Sequence, residues 1–170
     1  MRSQLIALLL TSSIVLAGCL GNAVKKDLVF PPDFEPRKYQ RLAVINLDAR
    51  VQISEYVEVE LLKKGYQVKE RSVVQELLKK EGLIKEESPA LSSLTRVGAL
   101  LDVQGIVLCN ILEFSRFRDS YRLSIKLVDP VTGNIVWSVM GAMEGRRGQK
   151  SGELLKEIVV SSLKDLPSLK

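Results

Sequence analysis

The pattern of hydrophobic and polar residues predicts five β-strands in the part of the chain that follows residue 40. Period-two alternation or a short apolar run marks each strand, at 41–47, 66–71, 103–114, 120–129 and 134–144. The alternation is clearest in the fourth stretch, where Leu123, Ile125 and Leu127 fall on one face of the strand. The third stretch is almost continuously apolar, which is typical of a central strand.

Apolar residues at helical spacing predict four helices among these strands. Their apolar stripes are Ile53, Val57 and Leu61; Val73, Val74, Leu77 and Leu78; Leu94, Val97 and Leu101; and Leu154, Leu155, Ile158, Val159 and Leu163. Ser72 and Gln75 predict a capping box at the start of the second helix. Gly65 and Gly82 are suited to the left-handed positions that close the first two helices.

The order of these elements is βαβααβββα, which predicts an α/β fold with a mixed five-stranded sheet covered by helices. Helical connections between the first three strands predict parallel pairing. Short turns after Phe117 and Asp129 predict an antiparallel meander of the last three strands. We therefore expect a single domain over residues 41–166, long enough to bury a stable core without disulfide bonds.

The amino end has the pattern of a signal peptide over residues 1–18. Its apolar run, Leu5 to Leu16, would span only ~18 Å as a helix against a hydrocarbon core of ~30 Å. The run ends at Leu16, and the four residues from that point, Leu16-Ala17-Gly18-Cys19, resemble the bacterial lipobox. We predict cleavage between Gly18 and Cys19, with Cys19 as the lipid anchor. A secretory signal with an accidental cysteine is the alternative.

Residues 19–40 are predicted to be the lipidated cysteine and a flexible tether, because the segment contains three prolines and no sustained periodicity. Two or three acyl chains at Cys19 would make membrane attachment stable. Position 20 is Leu and not Asp. The resemblance to Gram-negative lipoproteins then implies the outer membrane, with the domain facing the periplasm.

Composition narrows the chemistry that the chain can perform. The sequence of 170 residues contains no histidine, which removes histidine-based catalytic sets and the commonest metal ligands. We expect no catalytic, metal or cofactor site. The net charge is +5, but basic and acidic residues alternate and aromatic residues are few, so we expect no nucleic-acid binding. Cys109 lies in an apolar run and is predicted to be a buried, inert thiol.

Two stretches resemble ligand loops without meeting their requirements. Residues 145–152 place Lys150 and Ser151 before a helix, but Gln149 and Glu144 occupy the glycine positions of a phosphate loop. A solvated loop with Ser151 as the helix cap is the better interpretation. Residues 127–138 supply one carboxylate, Asp129, where a calcium loop needs several. A hairpin turn in which Asp129 accepts backbone N–H groups fits better.

Three segments together resemble the CsgG-type family of envelope lipoproteins: 66–83, 97–107 and 127–138. They are similar also to the LpoB-like activator of a peptidoglycan synthase and to the amino-terminal domain of TolB. The resemblance covers roughly residues 41–145. It implies that residues 65–71 form a characteristic strand and that Gly98 and Gly105 flank the loop into the central strand. It also implies a hairpin formed by Asp129, Thr132, Gly133 and Trp137.

These observations predict a non-enzymatic lipoprotein that binds another envelope protein in assembly, secretion or cell-wall synthesis. Its partners would be the membrane, through the anchor, and an envelope protein, and a homo-oligomer is compatible with this role. A subunit of a CsgG-like secretion channel is the alternative, although the arginine-rich turn at 115–122 argues against a pore formed by this chain. An envelope hydrolase using Lys150 and acidic residues is a further alternative.

Overall fold

Six β-strands form one open sheet, one more than the sequence predicts. The computed structural model describes residues 23–48, 52–82, 90–115, 120–146 and 148–170. Within these ranges the strands are β1 (Lys25–Val29), β2 (Arg41–Asn46), β3 (Gln67–Val68), β4 (Gly105–Ser115), β5 (Ser120–Val128) and β6 (Ile135–Glu144). Their order across the sheet is β1-β6-β5-β4-β2-β3.

The predicted order of elements is confirmed from β2 onward. The helices are α1 (Ser54–Lys63), α2 (Arg71–Lys80), α3 (Leu91–Leu101) and α4 (Ser151–Leu163), and a short 3-10 helix, Pro36–Tyr39, precedes β2. Strand β2 pairs in parallel with β3 and β4, while β4, β5 and β6 form an antiparallel meander. Both pairings agree with the connection lengths in the sequence.

Strand β1 corrects both the five-strand prediction and the prediction of a flexible tether. It lies within residues 19–40 and pairs antiparallel with β6, from Lys25 opposite Ala142 to Val29 opposite Ser138. Without this strand the backbone groups on the outer edge of β6 would have no partner in the sheet, and an unpaired edge is unfavourable. Leu28 and Phe30 also pack against the core. The domain therefore begins well before residue 41.

Two hydrophobic clusters lie on opposite faces of the sheet. The larger cluster joins the sheet to α1 and α4, and includes Val57, Leu61, Leu123, Ile125 and Ile158. The smaller cluster joins β2 and β4 to α2 and α3. The predicted apolar stripes of α1, α3 and α4 are all buried, because the helical period placed them correctly on one face.

Some predicted details at helix starts are wrong. The N-cap of α2 is Glu70, whose side chain accepts a hydrogen bond from the Val73 amide, and Ser72 already lies inside the helix. Val73 is exposed and does not belong to the apolar face. The N-cap of α4 is Lys150, and Ser151 is the first helical residue. Propensity patterns locate a helix more reliably than its first residue.

Candidate functional site

The Asp129 turn is the most completely hydrogen-bonded polar feature among the residues singled out from the sequence. Its Oδ1 accepts from the amides of Val131 at 2.9 Å and Thr132 at 3.1 Å, as predicted for a hairpin turn. Its Oδ2 accepts from the Tyr39 hydroxyl at 3.0 Å. Gly133 completes the turn with a φ of 75°. The buried carboxylate thus fastens the β5–β6 turn to the segment before β2.

The titration of the two buried groups follows from these contacts. Burial alone would raise the pKa of Asp129, but the amides of Thr132 and Val131 and the Tyr39 hydroxyl outweigh burial and hold the pKa below its ordinary value. Burial, together with the neighbouring carboxylate, raises the pKa of Tyr39 to about 12. At neutral pH the ionised carboxylate of Asp129 therefore accepts a hydrogen bond from the neutral phenol of Tyr39. This bond stabilises the packing of the β5–β6 turn against the segment before β2.

The motif glycines have steric roles beside this turn. A Cβ on Gly98 would lie 2.6 Å from Cβ of Pro130, the residue after Asp129. A Cβ on Gly105 would lie 2.6 Å from Leu127 Cδ1 and 2.9 Å from Leu42 Cδ2. Trp137 is buried. The motif that carries the sequence resemblance therefore forms a packing unit of the domain.

A second feature is the part of the sheet that the helices leave uncovered. Helices α2 and α3 rest on β2, β4 and the last residue of β5, and the buried cluster beneath them includes no residue of β1 or β6. The alternation of the strands turns Met140 and Val29 toward this uncovered face, where they are 45% and 61% exposed. Across the sheet Met140 lies opposite the exposed Asp27 on one side and the buried Ser124 on the other. The face is thus a mixed apolar and polar surface on a rigid sheet.

One end of this uncovered face forms a groove with a volume of about 500 Å³. Its floor is Ala142, which lies opposite Lys25 of β1 on one side and Arg122 of β5 on the other. Arg122 Nη1 lies 3.4 Å from Glu113 Oε2 on the next strand. Glu144 also lines the groove. Two cationic and two anionic side chains therefore surround a small apolar floor.

A third feature is a crevice of about 580 Å³ at the carboxyl end of β2. Helix α1 leaves β2 on one face of the sheet and α2 leaves β3 on the other, so the crevice lies where the connections diverge. Ligands of open α/β sheets bind at such points. The lining combines five apolar side chains with five amide or hydroxyl side chains, and adds Arg71, Lys79 and Glu76. The polar groups suit hydrogen bonding to a partner.

The arginine of this crevice is engaged with side chains of the segment around α1. The Arg71 guanidinium donates to Glu55 Oε1 at 2.5 Å and also to Gln52. Burial raises the pKa of Glu58 on α1, and the nearby Glu55 and Glu70 add to this effect while Arg71 opposes it. The arginine is therefore compensated by local acceptors and does not make the crevice an anion site.

The predicted site residues have different outcomes. Gly18 and Cys19 lie outside the described residues, so cleavage and lipid attachment stay predictions. Cys109 is fully buried, as predicted, and burial raises the pKa of its thiol. Lys150 is exposed at the start of α4, and Gly148 before it has a φ of 82°. The structure brings no acidic partner of Lys150 into hydrogen-bonding distance within the described ranges.

The described residues contain neither a cluster of metal ligands nor a membrane-spanning helix. No group of three or more cysteine, aspartate or glutamate side chains in the described ranges is arranged to hold a metal ion. None of the helices between residues 23 and 170 that the structure describes is long and apolar enough to cross a membrane.

Comparison with known proteins identifies the fold. No family model matches the chain, and no curated protein sequence matches it. A variant of the PelC dodecamer from Paraburkholderia phytofirmans shares 12% identity at a TM-score of 0.57, over 87% of this chain and 99% of PelC. The lipoprotein GNA1162 from Neisseria meningitidis shares 20% identity at a TM-score of 0.53, over 75% of this chain and 98% of its own.

The carboxy-terminal domain of LpoB from Salmonella enterica is a further neighbour, with 17% identity and a TM-score of 0.48 over 62% of this chain and 83% of that domain. At these identities the likeness to PelC and GNA1162 shows a shared fold. The chain therefore has a mixed α/β fold that also occurs in a lipoprotein. The finer resemblance to the CsgG type stays a prediction.

Sequence reasoning missed strand β1 and the uncovered face beside it. A signal for β1 was present, because Val24, Leu28 and Phe30 are apolar and all three pack against the core. The prolines at positions 31, 32 and 36 outweighed this short pattern. The uncovered face has no sequence signal of its own, since it depends on where α2 and α3 pack.

Proposed function

We propose that this protein is a non-enzymatic lipoprotein, anchored through Cys19 in the outer membrane and facing the periplasm, that binds another envelope protein through the uncovered sheet face. The observation that carries the proposal is the exposure of Met140 and Val29 on a face without helices. Exposed apolar side chains on a rigid surface favour protein contacts. The lipobox resemblance and the shared fold with the lipoprotein GNA1162 support the location.

Site-specific photocrosslinking in cells tests this proposal. A benzophenone side chain at position 140 should give a discrete crosslinked product. The matched control is position 59 on α1, because Val59 is 48% exposed and lies on a helix on the opposite side of the sheet. A product at position 140 but not at position 59 supports the proposal. Equal products at both positions, or none at position 140, would contradict it.

A second copy of the chain is a specific candidate for the partner, since PelC, which shares the fold, is a dodecamer. Edge strand β1 and the uncovered face would then meet another protomer. A crosslinked product of twice the monomer mass, containing two differently tagged copies, would identify this partner. A product that contains one copy and a different protein would identify a hetero-complex instead.

A further inference from the structure

The groove around Ala142 lies at the end of the sheet where the chain enters from its predicted anchor. Lys25 begins β1, and its register places it beside the end of β6 and, one strand further, the beginning of β5. Only residues 20–22 separate Cys19 from Ala23, the first described residue. A fully extended chain spans at most about 3.6 Å per residue. Ala23, which lines the groove, is therefore held within about 14 Å of Cys19.

This short distance results from the docking of β1. A flexible segment from residue 19 to residue 40 would reach roughly 25 Å and leave the domain free to turn. With β1 in the sheet, the groove end is near the bilayer and the β5–β6 turn is at the far end of β5. Strand β5 has nine residues, so the two ends lie roughly 30 Å apart. The anchor thus selects which end of the sheet meets lipid.

The charges of the groove match a particular kind of headgroup. Lys25 and Arg122 extend from strands on either side of Ala142, roughly 10 Å apart at the backbone. None of the ion pairs among the described residues includes Lys25. Arg122 has five N–H donors, and only its Nη1 end lies near Glu113, at 3.4 Å from Oε2. Glu113 and Glu144 also line the groove, and Glu144 is already engaged with another group. The groove thus offers two cations and the carboxylate of Glu113 to a ligand.

The geometry points to this groove as a binding site for phospholipid headgroups that carry both a phosphate and a primary ammonium. Lys25 and Arg122 donate to the phosphate, because guanidinium and ammonium groups form charge-assisted bonds with it. Glu113 accepts from the ammonium. Phe114, stacked on Tyr121 at 4.6 Å and 45% exposed, lies at the same end of the sheet. Aromatic rings of this kind favour the headgroup level of a bilayer.

This inference rests on the proposed anchor at Cys19, and the two are tested separately. The full acylated protein is mixed with vesicles of phosphatidylcholine alone, or with phosphatidylethanolamine or phosphatidylglycerol added. Flotation with vesicles, and its loss in Cys19→Ser, tests the anchor.

Fluorescence quenching tests the groove. A bimane label at Ser120→Cys reports contact with a nitroxide on lipid headgroups, and the same label at Asn134→Cys, at the far end of the sheet, is the control. Cys109 is buried and does not take the label.

In floated protein, we expect severalfold stronger quenching at position 120 than at position 134 when phosphatidylethanolamine is present. The double variant Lys25→Gln, Arg122→Gln should lose most of this quenching. The matched double variant Lys79→Gln, Lys80→Gln, which changes two exposed lysines of α2, should keep it. Equal quenching at both positions would overturn the inference, and so would quenching that the first double variant leaves unchanged. Equally strong quenching at position 120 with phosphatidylglycerol, which has no ammonium group, would contradict the preference for a headgroup that carries both charges.

Discussion

At the scale of single residues, Asp129 has the largest structural role that the sequence indicated. Its two carboxylate oxygens accept three hydrogen bonds, two from the turn and one from Tyr39. The Tyr39 ring is buried in the large cluster. One side chain therefore links the β5–β6 turn with the segment that leads into β2.

Asp129→Ala should lower the free energy of unfolding by roughly 2–4 kcal/mol. The substitution leaves the buried Tyr39 hydroxyl and the amides of Val131 and Thr132 without their acceptor, and each such group is costly. Urea unfolding of the full chain measures the effect. Glu76→Ala is the control, because Glu76 is an exposed carboxylate on α2, and it should change stability by less than about 0.5 kcal/mol. A similar effect of the two substitutions would contradict the assigned role.

Stability should also fall in alkaline solution as the pH rises from about 10 to about 12. Burial raises the pKa values of both Tyr39 and Tyr66 to about 12, whereas an unfolded chain has ordinary values near 10. Between these values the unfolded state has lost protons that the folded state keeps, so the free energy of unfolding decreases. Below pH 10 this contribution is fully present.

The measurement is urea unfolding at a series of alkaline pH values. For Tyr66, whose hydroxyl donates to the Pro167 carbonyl at 3.0 Å, the decrease should be roughly 2 kcal/mol. Tyr66→Phe removes this titration and should flatten part of the decline. A pH dependence identical to that of the unsubstituted protein would show that Tyr66 does not titrate as the structure implies.

At the scale of elements, β1 and the carboxyl-terminal tail complete the domain. Strand β1 covers the edge of β6, and Lys26 Nζ bonds to Asp165 just after α4. In the tail, the Leu169 amide donates to the Lys64 carbonyl at 2.8 Å, and the Ser168 hydroxyl donates to the same carbonyl at 3.0 Å. The folded unit therefore extends beyond residues 41–166 at both ends.

A fragment of residues 23–170 should fold as a monodisperse domain, whereas residues 41–166 should be less stable by roughly 3–5 kcal/mol. The shorter fragment loses the packing of Leu28 and Phe30, each worth about 1.5–3 kcal/mol when buried. It also exposes the edge of β6, which favours self-association. Thermal unfolding and size-exclusion chromatography compare the two. Equal stability and equal monodispersity would show that β1 adds little to the fold.

At the scale of the whole molecule, the proposed anchor at Cys19 lies close to the sheet along the chain. Strand β1 begins at Lys25, six positions after Cys19. With Cys19 lipidated as we propose, one end of the uncovered face would lie near the membrane surface, and the rest of the face would be open to the proposed partner. The proposed location and the proposed binding surface would thereby be coupled.

Cys19→Ser should abolish both incorporation of labelled palmitate and cleavage before residue 19, because the serine hydroxyl cannot form the thioether that the anchor requires. The far-ultraviolet circular dichroism spectrum should be unchanged, since the substitution lies before the described domain. Metabolic labelling and mass spectrometry of the amino terminus measure the result. Palmitate still incorporated by the variant would contradict the anchor.

The sequence by itself determined the elements from residue 41 onward and how their strands pair. Period-two alternation identified Leu123, Ile125 and Leu127 as core residues, and all three are fully buried. The connection lengths predicted parallel and antiparallel pairing because a short turn cannot return a chain to a parallel start. The Asp129 turn was also predictable, since its hydrogen bonds are local.

Only the tertiary structure decided the place of β1 and the uncovered face. Strand β1 is short and pairs with β6, more than a hundred residues away along the chain, so its stability comes from a partner and not from its own pattern. The bond from Tyr39 to Asp129 is likewise long-range. The groove around Ala142 combines side chains from four strands, Lys25, Ala142, Arg122 and Glu113. Such a juxtaposition is fixed by strand register across the whole sheet, and no local sequence pattern encodes it.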